Sequence, residues 1–159
     1  MTRAMYPGSF DPVHLGHVDI VETLAQVFDE VVVVAMFNPE KPTGFFDLDE
    51  REAMLSAALS HLVNVKTSNA PGLVVHAARD LGVDVIVKGV RGVSDLDIEV
   101  QMANTNKAVS EIPTMLMPAE PATSFISSRF VREIAARGEQ VDALVPAVVA
   151  DFFARKAST

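Results

Sequence analysis

The chain has 159 residues and no cysteine. Disulfides, thiolate nucleophiles and cysteine-based zinc sites are therefore excluded. No apolar run comes near the roughly 18 residues that a membrane span requires. Nothing at the N-terminus resembles a leader peptide, because Phe10, Asp11 and Pro12 break the segment before an apolar stretch can build. Positive charge is also scarce: 13 Lys and Arg stand against 21 Asp and Glu, for a formal charge of −8. A general nucleic-acid binder needs a basic face to neutralise phosphates, so that class is not expected. A small phosphorylated ligand stays compatible, since a few cations at one place suffice and net charge says nothing of them. The expectation is a soluble cytoplasmic protein with no membrane or nucleic-acid partner. At this length it should form one domain over residues 1–159, large enough for an ordinary core.

Apolar content, by contrast, is high, and it falls in an alternating order. Residues 3–6 read as a short strand ending at the Pro7–Gly8 punctuation. Ile20, Val21, Leu24, Val27 and Phe28 then share one helical face. "EVVVVAMF" (30–37) is too uniformly β-branched for a half-exposed strand and reads as a central parallel strand buried on both faces. Asp47 followed by Glu50 has the form of a capping box and opens a helix to about Leu59. A strand is expected near 62–67, and a helix from Leu73 to Leu81 ended by Gly82. "VDVIVKG" (83–89) is a further buried strand. Val93, Leu96, Val100 and Ala103 recur at helical spacing and predict a helix over 93–109. "TMLMP" (114–118) is a strand, Ser127 or Ser128 caps another helix, and a last helix follows Pro146. This alternation predicts a doubly wound, Rossmann-like α/β fold with about five parallel strands and helices on both faces. Ligands in such sheets lie at the carboxyl ends of the strands, near the switch point. Gly8–Ser9, Asn38–Lys41, Lys88–Arg91 and the 118–128 loop all follow predicted strands.

"YPGSFDPVHLGHVDI" (6–20) carries the sharpest chemistry. His14 and His17 could be metal ligands, an acid–base pair, phosphate donors or plain capping groups. A metal would need a third ligand, and His61 and His76 read as surface residues at a helix end and within a helix, so no metal site is expected. Gly8 lets the backbone approach a ligand, and the helix starting near His17 offers free N–H groups and a positive dipole end. A phosphate is the natural guest there.

"GSFDPVHLGH" resembles the (His/Thr)-x-Gly-His signature of the nucleotidylyltransferase superfamily, and "SFISSRFVREI" resembles its second signature. Within that superfamily "IVKGVRGVSDLDIEVQMANTNK" (86–107) and "NPEKPTGFFDLDER" (38–51) are similar to the phosphopantetheine adenylyltransferases. The resemblance runs over about residues 3–150. It implies transfer of AMP from ATP to 4′-phosphopantetheine, giving dephospho-coenzyme A and pyrophosphate, with Mg²⁺ as cofactor and a homohexamer as assembly. It further implies His17, Lys41 and Arg91 as catalytic residues. Ser9, Lys41, Leu73, Val74 and Lys88 would bind the acceptor. Ser9, Phe10, His17, Gly89, Val90, Arg91, Glu99, Thr123, Ser124, Phe125, Ile126, Ser127, Ser128 and Arg129 would bind ATP. Five positions depart from the family's usual pattern: His14 for Thr, Lys88 for Arg, Ile98 and Thr123 for aromatics, and Arg129 for Ser. The alternatives are a nicotinate or nicotinamide mononucleotide adenylyltransferase, toward which His14 points, and a non-catalytic nucleotide-binding regulator.

Overall fold

Strands and helices alternate from β1 (Arg3–Gly8) through α1 (Leu15–Val27), β2 (Glu30–Phe37), α2 (Leu48–Ala58), β3 (Val65–Pro71), α3 (Val74–Leu81) and β4 (Val85–Val90). α4 (Val93–Ser110), β5 (Thr114–Pro118), α5 (Ser128–Ala136) and α6 (Ala147–Ala157) follow. This computed structural model describes residues 1–37 and 44–158. The strands form a parallel sheet in the order β3-β2-β1-β4-β5. The expected α/β Rossmann-like architecture is thus present.

Strand alternation divides the core in two. Ala4, Tyr6, Val31, Val33, Ala35, Val85 and Val87 point to a face covered by α1, α2, α5 and α6, through residues such as Leu24, Leu55, Val131 and Phe153. Met5, Val32, Val34 and Ile86 point to the opposite face, where Ala77 and Ala78 of α3 meet them. Because β2 is covered on both sides, its uniform Val run costs nothing in exposed apolar surface. Local signals hold as well. The Asp47–Glu50 box closes in both directions, with Glu50 N–H donating to Asp47 Oδ1 (2.8 Å) and Asp47 N–H to Glu50 Oε2 (2.9 Å). Gly82 ends α3 at φ 61°, a left-handed conformation that glycine adopts without strain.

Three expectations need correction. β1 continues through Pro7 to Gly8, pairing with β2 to its end. The third strand begins at Val65 rather than near 62, because the Asn64 amide donates to the carbonyls of Ala25 (2.9 Å) and Phe28 (3.0 Å), holding the preceding residues in a turn. Val63 consequently points fully into solvent. Finally, the apolar stripe of α4 does not face the core. The helix touches α3, β4 and β5, yet none of its residues is buried. Val93, Leu96, Ile98, Val100, Met102 and Val109 are all exposed, as is Met115 on β5.

Candidate active site

β1 pairs with β4 only at Ala4–Val85 and Met5–Ile86, although it pairs with β2 as far as Gly8. Pro7 lies past the last β1–β4 pair and has no N–H for a ladder bond. The chain builds β2 and β3 to one side of β1 and β4 and β5 to the other, so this gap is the switch point of the sheet. A cavity of about 350 Å³ opens there. Its lining comes from the β1–α1 turn (Gly8, Ser9, Phe10, His14, Gly16, His17), the end of β4 (Lys88, Gly89, Arg91), α4 (Asp95, Glu99) and the start of α5 (Ser127, Ser128, Arg129). Tyr6, Pro7, Ile20 and Ala119 complete the wall.

The turn is held tightly. Phe10 has φ 46°, a strained value for a bulky residue, and its buried ring packs edge-on to Tyr6 and His17. That ring folds back over Gly8, where a Cβ would stand 3.0 Å from it. Behind the turn, the Asp11 carboxylate accepts from the N–H groups of Phe45 (2.9 Å) and Phe46 (2.8 Å). Arg51, itself buried, lies 3.6 Å from Asp11 Oδ1 and donates to the carbonyls of Phe46 (2.8 Å) and Ser9 (3.3 Å). Helix α5 ties to the same turn twice: Arg132 Nη1 donates to the Asp11 carbonyl (2.7 Å) and Ser128 Oγ to the Pro12 carbonyl (2.8 Å). Asp11, Arg51 and Arg132 carry no sequence signal of this role, because their partners are remote in the chain.

The two histidines are not equivalent. His14 caps α1, its Nδ1 accepting from Gly16 N–H at 3.1 Å. His17 answers with its own Nδ1, which accepts from the His14 N–H at 3.1 Å. The rings stack 3.6 Å apart. Burial holds the His14 imidazole down to about pKa 4, with Arg91 adding to the effect. His17 is held well below its ordinary value by burial first, then by the charges of His14, Arg91 and Lys88. With Nδ1 accepting and the ring neutral, the His17 proton is on Nε2, which makes Nε2–H a donor. The capping reading weighed for this pair therefore holds for both rings, and it fixes the tautomer of the second.

Cations ring the cavity. Arg91 is gripped by Asp95, with Nε donating to Oδ2 (2.9 Å) and Nη2 to Oδ1 (3.3 Å), and Arg91 Nη1 also reaches the Ile126 carbonyl (3.4 Å). These bonds hold the Asp95 carboxyl below the usual carboxylate range. Lys88 Nζ lies 3.6 Å from Glu99 Oε1. Ser127 caps α5 by accepting from Phe130 N–H (3.2 Å). Gly89 is closely packed: a Cβ there would meet Ile20 Cδ1 at 2.5 Å, so that side-chain end would have to shift.

Of the residues singled out in the sequence, Ser9, Phe10, His17, Lys88, Gly89, Arg91, Glu99, Ser127, Ser128 and Arg129 thus meet at one cavity. Lys41 lies outside the described residues. Thr123 instead donates to Asp19 Oδ2 (2.6 Å) and Ser124 to the Pro121 carbonyl (3.3 Å). Phe125 is exposed and Ile126 is buried. Val90, Leu73 and Val74 do not line the cavity either; Leu73 is exposed and Val74 packs beside the second core cluster. Tyr6 and Asp95, which do line it, were not singled out as site residues. A lone tyrosine ending an aliphatic strand was the available signal for the first.

The cytidylyltransferase-like family matches residues 5–134. A phosphopantetheine adenylyltransferase of Synechococcus sp. (strain JA-2-3B'a(2-13)) is 44% identical over 147 residues, which cover 92% of this chain and 92% of that protein. Among solved structures, a Vibrio parahaemolyticus protein assigned as a nicotinate-nucleotide adenylyltransferase superposes with a TM-score of 0.67 at 18% identity, covering 96% of this chain and 99% of that one. A lipopolysaccharide core biosynthesis protein from Thermoplasma volcanium GSS1 gives a TM-score of 0.54 at 23% identity, over 76% of this chain and 97% of that one. At such identities these two likenesses speak for the fold alone.

Proposed function

The chain belongs to the cytidylyltransferase-like family, and from that premise we propose that it is the adenylyltransferase of coenzyme A biosynthesis that acts on 4′-phosphopantetheine. The observation that carries this reading is the 44% identity to the Synechococcus phosphopantetheine adenylyltransferase over nearly the whole chain. An acceptor phosphate oxygen attacks the α-phosphorus of ATP in line. The new P–O bond forms as the bond to the bridging oxygen breaks, and pyrophosphate leaves with that electron pair. The attacking oxygen is already anionic, so no general base is needed, and positioning and charge stabilisation do the catalysis. The cavity suits this chemistry, bringing donors and cations together at one place.

In this reading His17 Nε2–H donates to the α-phosphate as charge develops there. Ser9 and Phe10 offer donors from the strained turn. Lys88 holds the acceptor phosphate, and Lys41 neutralises that phosphate and the transition state. Arg91 and Arg129 hold the ATP phosphates at the start of α5, where unpaired N–H groups also favour an anion. Glu99 meets the nucleotide, and Leu73 and Val74, which lie outside the cavity, meet the pantetheine arm where it extends past it. Mg²⁺ would arrive on the nucleotide and neutralise part of the triphosphate charge. Among the described residues the cavity carboxylates Asp95 and Glu99 face Arg91 and Lys88, and no cluster of three or more potential metal ligands is present. No step here is therefore routed through the metal. Both substrates are soluble phosphorylated molecules, which suits a cytoplasmic enzyme; among the described residues no helix is long and apolar enough to cross a membrane.

Pyrophosphate release from ATP and Mg²⁺, with 4′-phosphopantetheine and nicotinate mononucleotide offered in parallel, tests the assignment. Turnover with phosphopantetheine alone is expected. Turnover with the mononucleotide would transfer the reading to the nicotinate enzymes, and ATP binding without turnover would make the chain a regulator.

We also propose the homohexamer. Its support is the apolar face that α4 and Met115 leave uncovered, since an exposed patch of this kind marks an association surface. Sedimentation should give about six times the 17.1 kDa chain mass, and Ile98→Glu should lower it. A wild-type monomer would refute the assembly.

A further inference from the structure

Tyr6 is the chain's single tyrosine. Its side chain is buried in the wall of the cavity, only 4% exposed. The ring is fixed from two sides, edge-on to Phe10 with centroids 5.5 Å apart and to His17 at 6.5 Å. The hydroxyl stands next to the end of β4: a Cβ placed on Gly89 would be 3.2 Å from it. Gly89 therefore leaves open the space into which the phenol reaches. Among the described residues the hydroxyl neither donates to nor accepts from any other group. Yet it is not sealed away either, because the one side-chain oxygen both buried and unpaired there is Thr114 Oγ1.

A buried phenol ordinarily finds a partner, and an unpaired one calls for an explanation. Phenylalanine would fill the same aromatic corner without that demand. The surroundings indicate what the partner is. Lys88 and Arg91 bring positive charge to the same cavity, and His17 brings a neutral N–H. We propose that the Tyr6 hydroxyl donates a hydrogen bond to a phosphate oxygen of the bound substrates, beside His17 Nε2–H. This rests on the adenylyl-transfer reading and adds a substrate-binding residue to it. Burial, with Glu99 adding and Arg91 opposing, pushes the phenol far above its ordinary value. It therefore stays protonated at any working pH and acts as a donor, never as a base.

Tyr6→Phe keeps the ring and its packing and removes only the hydroxyl. Titration calorimetry on the full chain should show inorganic pyrophosphate binding roughly 10- to 100-fold more weakly to the variant, the worth of a hydrogen bond to a charged acceptor. Adenosine, which has no phosphate, should bind both proteins equally, and the melting temperature should not fall. kcat/KM for ATP should drop by a similar factor. Equal pyrophosphate affinity, with kcat/KM within twofold, would mean the hydroxyl meets only water and would overturn the proposal. So would weakening of both probes together with a lower melting temperature, which assigns the hydroxyl a structural role. If wild-type protein fails to turn over while pyrophosphate still separates the two proteins, the reaction reading fails and the Tyr6 contact stands.

Discussion

His17→Ala lowers kcat by about 10²- to 10³-fold, the usual consequence of deleting one donor aimed at developing charge. The reason lies in how the ring is fixed. Nδ1 is occupied by the His14 N–H and the imidazole is neutral, so Nε2–H is a donor that needs no reorganisation when the α-phosphate gains charge. KM for ATP should move little, because the binding cations Lys88, Arg91 and Arg129 are untouched. The variant also leaves the His14 N–H without its side-chain acceptor, a capping loss of about 1 kcal/mol that a melting curve registers separately from the rate. The donor role has a second signature in the pH profile of kcat. A general base would show activity falling as the pH drops through its pKa near neutrality. A neutral donor whose pKa is held well below 6.5 produces no such limb there. A kcat within a few-fold of wild type, or a limb near pH 6.5 that vanishes in the alanine variant, would refute this role.

How much of this was legible in the sequence depended on the range of the interactions. "EVVVVAMF" announced a strand covered on both faces because its pattern has no polar side to expose. The Asp47–Glu50 box was readable because its two partners are three residues apart. Topology alone brought Ser9, Lys88 and Arg91 to one sheet edge, since Ser9 follows β1, Lys88 lies near the carboxyl end of β4 and Arg91 follows it. Helical period, however, says that α4 has an apolar face, not what covers it, and that face points outward here. The supports of the phosphate-facing turn were illegible for a different reason. Asp11 meets Phe45 and Phe46, Arg51 meets Ser9, and Arg132 meets Asp11, at separations of 34, 35, 42 and 121 residues. The Thr123 hydroxyl is likewise claimed by Asp19, 104 residues away, so Thr123 is tied to α1 and does not itself line the cavity.

The stacked histidines also make stability depend on pH, with a sign set by their neutrality. Both are held below the ordinary histidine value in the folded chain, His14 at about 4 and His17 well below 6.5. The unfolded chain takes up a proton at each near pH 6.5, whereas folded His14 resists until about pH 4. The His14 contribution is therefore fully present above pH 6.5 and is lost as the pH falls from there toward 4, at about 1.4 kcal/mol per pH unit once well below 6.5, and that of His17 is lost in the same direction. Between pH 7 and pH 5 His14 alone accounts for roughly 2 kcal/mol by this linkage, and His17 adds a loss of the same sign. His14→Thr isolates the effect, because a threonine hydroxyl can also cap α1 but does not titrate. Denaturant unfolding at the two pH values should show wild-type stability dropping by about 2 kcal/mol more than that of the variant. The lowered carboxyls Asp29, Glu30 and Asp95 lose their contribution only further into acid and are common to both proteins, so they cancel in the comparison. Equal losses in the two proteins would mean that His14 is already protonated in the folded chain at pH 5. The neutral stack that orients His17 would then be wrong as well.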